Sequence, residues 1–173
     1  MIIDTIEHYG PDVCTFCETL HILDVYKHFE QDYQLAYTSL KTEFPGGKKE
    51  EGTESCVTAV MFRKSKFELV EQKDIYFGQM AVNKPLFECL GGKIYHPPES
   101  DPAKEFETCL KPYSTYNTAT LVLLKHKSSQ RLIQCCAIYP NWDPLKEPLK
   151  ILSVRYAHDT IQEQFDRLVK PVQ

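Results

Sequence analysis

The sequence predicts a mixed α+β domain of the layered α/β kind, on three observations. Two pairs of apolar, extended stretches are each joined by a short polar turn. Stretches with helical spacing stand at both ends of the chain, and the segments between carry the Gly and Pro residues of loops. Strands and helices with apolar sides bury them against one another in layers, so β-hairpins flanked by helices imply a sheet with one face covered by the terminal helices.

Each element follows from its residues. Residues 1 to 9 place Ile2, Ile3 and Ile6 on one helical face, and Gly10-Pro11 stops that helix. The stretch DVCTFCE (12 to 18) is a short, apolar-rich strand that ends on a carboxylate, Glu18. In TLHILDVYKHFEQ, Leu20, Leu23 and either Val25 or Tyr26 recur at helical spacing, and the extended YQLAYTS follows. PGGKKEEGTES (45 to 55) is polar with a Gly pair and reads as an exposed loop. Cys56 to Phe62 and Phe67 to Tyr76 are two strands around a turn at Lys64-Ser65, a hairpin. The segment 79 to 113 contains NKPLFECLGGKIYHPPESDPAKEF, with four prolines and a Gly pair, and reads as an irregular insertion. A second hairpin joins TATLVLLKH (118 to 126) to RLIQCCAIY (131 to 139) through KSSQ. The tail ILSVRYAHDTIQEQFDRLV spaces Ile151, Val154, Ile161, Phe165 and Leu168 as an amphipathic helix that packs on a sheet.

A chain of 173 residues fits one domain, read as a single one over 1 to 173. With 42% hydrophobic residues, 25% charged residues and a formal charge of -4, it is neither disordered nor a basic backbone-binding module. The start MIIDTIEHYGPD has no basic region followed by a long apolar core, and no run approaches a membrane span, which predicts an intracellular, cytoplasmic protein with no membrane partner. Seven cysteines without framework spacing read as reduced thiols, and Cys14, Cys17 and Cys56 lie inside apolar strands.

Several patterns invite sharper readings. Cys14 and Cys17 have the spacing of half a zinc site, but on a strand they point to opposite faces, and adjacent Cys135 and Cys136 cannot both face one ion. His21 and His28 share a helical face as solvated histidines, and His158-Asp159 reads as a surface pair. Neither Gly-x-Ser-x-Gly nor a phosphate-binding Gly-x4-Gly-Lys loop is present. Glu18 is either a charge emerging into water or a metal ligand.

The order of a strand ending in Glu18, the polar loop, AVMFRKSKFELVEQKDIYF, NTATLVLLKH and Trp142-Asp143-Pro144 before a helix resembles the endonuclease/exonuclease/phosphatase superfamily. The nearest branch is the one with nocturnin, the Angel proteins, 2',5'-phosphodiesterase and the Ccr-type deadenylases. The resemblance implies a partial two-layer α/β sandwich with β-hairpins and flanking helices. It implies that Glu18 binds magnesium, that Asn117 opens the strand beside the substrate, and that Pro144 belongs to a Trp-Asp-Pro next to the nucleotide pocket. It implies hydrolysis of phosphodiester bonds in RNA, at a 3' end such as poly(A).

The chain also departs from that pattern. Where the family ends its strand on Asn-Thr-His, with the His on the reacting phosphate, this sequence has Ala137, Ile138 and Tyr139. The family's first strand would fall before Met1, and its later Asp-x-Asn and Asp-His motifs after Gln173, so the match spans about the first half of a family domain. Attack of water on a phosphodiester needs a metal ion, a base and donors for the developing charge, and one carboxylate is a weak magnesium site. The expectation is an incomplete or degenerate relative, inactive as this chain, with no catalytic residue assigned. The alternative is a non-catalytic protein-interaction module. An uncovered sheet edge predicts self-association or a protein partner that completes the sheet.

Overall fold

The computed structural model describes residues 2–19, 21–39, 56–77, 117–140 and 147–169, and its elements follow the predicted order. Helix α1 (Ile2–Tyr9) is closed by Gly10, whose N–H donates to Ile6 O at 2.9 Å with a positive φ of 52°. Strand β1 (Val13–Cys17) leads to helix α2 (Ile22–Phe29) and strand β2 (Tyr33–Ser39). Strands β3 (Cys56–Arg63), β4 (Phe67–Tyr76), β5 (Thr118–His126) and β6 (Leu132–Tyr139) precede the long helix α3 (Glu147–Val169). The expected loop at 45 to 55 and the insertion at 79 to 113 lie outside the described residues.

The chain divides into two units, Met1–Ile75 with Thr118–Tyr139, and Tyr76–Asn117 with Pro140–Gln173. The first unit holds two three-stranded sheets, in the orders β1-β3-β2 and β4-β5-β6. β1 and β2 both run antiparallel to β3, and β5 runs antiparallel to β6. The expected hairpin of β3 and β4 is corrected here. The strands lie where the sequence puts them, but the turn at 64–66 carries the chain from one sheet to the other. β3 already has β1 on one edge and β2 on the other, so no edge remains for β4.

The central strands are buried on both faces, as runs of apolar residues demand. Alternate residues of β3 serve two layers. Val60 and Phe62 pack between the sheets with Ala36, Phe67, Val122, Leu124 and Ala137. Ala59 and Met61 face the other way, Met61 in a cluster with Ile6 and Tyr33 and Ala59 against Ile22. Helices α1 and α2 therefore cover the outer face of the first sheet. The sequence expected a single sheet with one face covered by the terminal helices; in the first unit two sheets face each other, and α1 and α2 lie on the outer face of the first. Ile22, absent from the predicted helical face, is 1% exposed, because α2 starts only after His21 takes a left-handed φ of 63°.

Of the second unit, Phe77 N–H donates to Asn117 O at 3.0 Å, and both residues are buried. α3 forms where its spacing predicts. Its buried residues, however, are Ser153, Ala157, Thr160 and Gln164, while Ile151, Val154, Phe165 and Leu168 stand exposed. No helix among the described residues is long and apolar enough to cross a membrane.

Candidate functional site: a polar end of the sandwich

The two sheets change chemistry from their middle to one end. In the middle, side chains between the layers are apolar. At the end where β1, β2, β4 and β6 finish and β3 and β5 begin, they are hydroxyls. Thr38 Oγ1 lies 2.7 Å from Thr120 Oγ1, and Thr58 Oγ1 lies 2.8 Å from Thr120 Oγ1 and 3.2 Å from Thr118 Oγ1. Thr120 also donates to Thr58 O at 2.9 Å. All four threonines are buried, and their hydroxyls bond one another across the layers, which offsets the cost of burying polar groups. The chain of hydroxyls reaches a carboxylate at one flank, where Asp74 Oδ1 accepts from Thr38 Oγ1 at 3.0 Å and from Gln72 Nε2 at 2.9 Å.

Glu18 stands at the other flank of this end. Register places Cys17 opposite Thr58, and Thr58 opposite Thr38, so Glu18 leaves the sheet at the edge of the hydroxyl row. It is exposed and has a φ of 52°, the left-handed conformation that residues with a Cβ rarely adopt. The edge of β1 meets β6, where Cys17 Sγ donates to Ile138 O at 3.1 Å. One residue further on each strand, the Tyr139 hydroxyl donates to the Glu18 carboxylate. Burial, then this bond and the Glu18 charge, push the Tyr139 phenol above its ordinary pKa of 10.0.

Glu18 is thus a strand-end carboxylate held by a phenol. Asn117, half of the expected substrate contact, is buried in the second unit, directly before Thr118. Pro144 lies outside the described residues. Among the described residues no three His, Cys, Asp or Glu side chains converge on one point. Asp74 is tied to β2, two strand spacings or about 10 Å from β1, so it does not share an ion with Glu18. A single carboxylate already bonded to a phenol would offer a magnesium ion one ligand and leave its other positions to water and substrate.

The cysteines separate as alternation requires. Cys14 packs toward the helices and Cys17 toward β6. Burial pushes the thiols of Cys14, Cys17 and Cys135 up, and that of Cys136 to about 11. The four are free thiols. His158 and Asp159 form a surface pair at 3.2 Å, as expected.

Sequence reasoning named Tyr139 as a departure but not as the partner of Glu18, and it missed the hydroxyl row. The available signal was Thr at 38, 58, 118 and 120 within otherwise apolar strands.

No protein-family model matches the chain. Among curated proteins, the CCR4-Not complex 3'-5'-exoribonuclease subunit Ccr4 of Mycosarcoma maydis is 21% identical over 174 residues, covering 98% of this chain and 23% of that protein. The human Nocturnin catalytic domain superposes with a TM-score of 0.62 at 16% identity, over 95% of this chain and 50% of that one. An endonuclease/exonuclease/phosphatase protein from Bacteroides vulgatus gives 0.58 at 13% identity, over 94% of this chain and 50% of that one. The fold is that of the endonuclease/exonuclease/phosphatase superfamily. The chain resembles nocturnin and Ccr4, and it spans a quarter to a half of the length of these relatives. The mixed α+β architecture expected for the superfamily is the one observed.

Proposed function

We propose that the chain carries the phosphodiester-directed site of its superfamily in a reduced form. Glu18 holds a magnesium ion weakly, Asn117 and Pro144 contact the substrate, and the 173-residue polypeptide alone has little or no exoribonuclease activity. The substrate class is the 3' end of RNA such as poly(A), by likeness to the 3'-5'-exoribonuclease Ccr4. The observation that carries this reading is the pairing of Glu18 with Tyr139 at the polar end of the sandwich. A left-handed non-glycine backbone is a feature that clusters at functional sites, and here it aims a carboxylate out of the sheet end.

Chemistry explains the reduction. A bound magnesium would neutralise phosphate charge at Glu18. An imidazole at position 139 could donate to phosphate as a cation, whereas the Tyr139 phenol is neutral at physiological pH and is engaged with the carboxylate itself. Four free cysteines among the described residues support a reducing compartment, the cytoplasm. The alternative, an interaction module without catalysis, draws support from the exposed apolar residues of α3.

The test uses the chain with end-labelled oligoadenylate and magnesium, beside Glu18→Ala and a chelator control. Separately, manganese binding is followed by its paramagnetic signal. The expected result is no detectable cleavage, and weak manganese binding that Glu18→Ala abolishes. Cleavage lost in both controls would refute the inactivity and keep the metal site. Manganese binding unchanged in Glu18→Ala would remove Glu18 from the site.

A further inference from the structure

The formal charge of -4 is unevenly spread over the chain. The turn from β3 to β4 and the turn from β5 to β6, with the strand ends at 63–66 and 125–131, hold Arg63, Lys64, Lys66, Lys125, Lys127 and Arg131 and no acid. Although 63 residues part Lys64 from Lys127 in sequence, the fold sets the turns side by side. Lys127 N–H donates to Lys66 O at 2.8 Å. Both turns belong to the first unit and stand at the end of the sandwich opposite Glu18, where β3 and β5 finish and β4 and β6 begin.

Two of these cations are held in place without being neutralised. Lys64 Nζ donates to Glu30 O, and Lys127 Nζ donates to Lys64 O at 2.6 Å. A carbonyl orients an ammonium but leaves its charge, so both cations face solvent from fixed positions and lose little freedom on meeting an anion. Lys125 and Arg131 have no ion pair among the described residues. Four carboxylates adjoin the turns. Asp12 is shared by Arg63 at 3.5 Å and Lys66 at 2.7 Å, Glu30 and Asp32 lie in the turn that carries the backbone acceptors of Lys64, and Glu68 follows on β4. Six cations against four carboxylates leave two positive charges at this end of a chain that is negative as a whole. Exposed Ser65, Ser128 and Ser129 add hydroxyl donors between the lysines.

Charge and shape select the occupant. The exposed positions of both turns are lysines, serines and Gln130, so a lipid surface would find no apolar side chain to take up. The turns connect strands of facing sheets, which lie about 10 Å apart, and their cations therefore meet a run of successive phosphates rather than a single anion. Ammonium groups and hydroxyls of this kind grip phosphate oxygens and position a strand without reading its sequence.

We infer that the two turns form a phosphate-backbone contact for single-stranded RNA, at the end of the sandwich opposite Glu18. The choice of RNA among polyanions rests on the phosphodiester reading proposed above, which assigns a 3' end to Glu18. The eight residues of β3 separate the two ends by about 26 Å, so one strand of RNA can reach both. The contact at the turns needs no metal.

The experiment is fluorescence anisotropy of labelled oligoadenylate with the full chain, in chelator, from about 50 mM to about 200 mM salt. Wild type is expected to bind with a Kd of about 1–100 µM that weakens as salt rises. Lys64→Gln combined with Lys127→Gln keeps an amide donor for each carbonyl and removes two charges. It is expected to weaken binding about tenfold and to lower the salt slope by about 1.4, at about 0.7 for each single-strand contact. Arg131→Gln, exposed and unpaired among the described residues, is expected to lower the slope by about 0.7. Lys73→Glu changes the net charge as much as the double variant, but lies on β4 about 20 Å from the turns, and is expected to leave binding within about twofold. Circular dichroism checks that each variant is folded. A wild type that does not bind, binding unmoved in the folded glutamine variants, or equal weakening by Lys73→Glu overturns the inference. Binding to phosphatidylserine vesicles without binding to oligoadenylate overturns it as well and assigns the turns to a lipid surface. A chain that binds oligoadenylate through the turns in chelator, yet takes up no manganese at Glu18, keeps this contact and loses the metal site.

Discussion

Glu18 keeps a backbone conformation that a glycine would hold more easily, and its carboxylate explains why glycine is not there. The side chain has to reach Tyr139, one residue beyond the Cys17 to Ile138 contact. Nearby, the cysteines show how burial sets chemistry. A thiol reacts as its thiolate, so a raised pKa makes it slow. Cys14, Cys17 and Cys135 are all pushed up by burial and Cys136 reaches about 11. Iodoacetamide at pH 8 is therefore expected to label Cys14, Cys135 and Cys136 more slowly in the native chain than after denaturation, most slowly at Cys136, while Cys17 is exposed. Peptide mass mapping over time checks this, and equal native and denatured rates would show that burial does not protect them.

Among the elements, the junction of α1 and β1 is the most dependent on one residue. Gly10 ends the helix with a positive φ, its carbonyl accepts from Arg63 at 3.1 Å, and a Cβ added to it would lie 3.1 Å from the Arg63 guanidinium. That guanidinium also stacks over Tyr33, 4.8 Å from the ring centre, so Gly10 and Arg63 tie α1 to the strands beneath it. Gly10→Ala is expected to cost about 1 kcal/mol from the left-handed backbone alone, measured as a lower urea midpoint at unchanged slope. Element positions were legible because β3 and β5 are apolar runs and Gly10-Pro11 and Lys64-Ser65 are strong breakers. Pairing was not, since it depends on which strand edges are already occupied. The periodicity of α3 gave its existence but not its exposed side, because a stripe of apolar residues reads alike whether a sheet or a second molecule covers it.

At the scale of the molecule, the two sheets are joined by an apolar middle and a hydroxyl end, and Thr120 is the hub of that end. Thr120→Val keeps the volume and removes the hydroxyl shared by Thr38 and Thr58, so it is expected to lower stability by about 1–3 kcal/mol, with the fold retained by circular dichroism. A stability unchanged by this substitution would show that the hydroxyl row is incidental. The candidate site was half legible. Glu18 could be singled out because a carboxylate closing an apolar strand is unusual, but its partner lies on a strand that the local pattern cannot bring to it. The separation is the reason, since β1 meets β6 across 121 residues of chain at the Cys17 to Ile138 bond. That span has a consequence for synthesis. As the polypeptide leaves the ribosome from its amino terminus, β1 can pair with β3, but its contact with β6 waits until residues near 138 emerge, and closing so long a loop is slow compared with forming local helices. In the interval Val13, Val60 and Phe62 have no opposing layer, so the nascent chain, rather than the finished protein, is the form most in need of a chaperone.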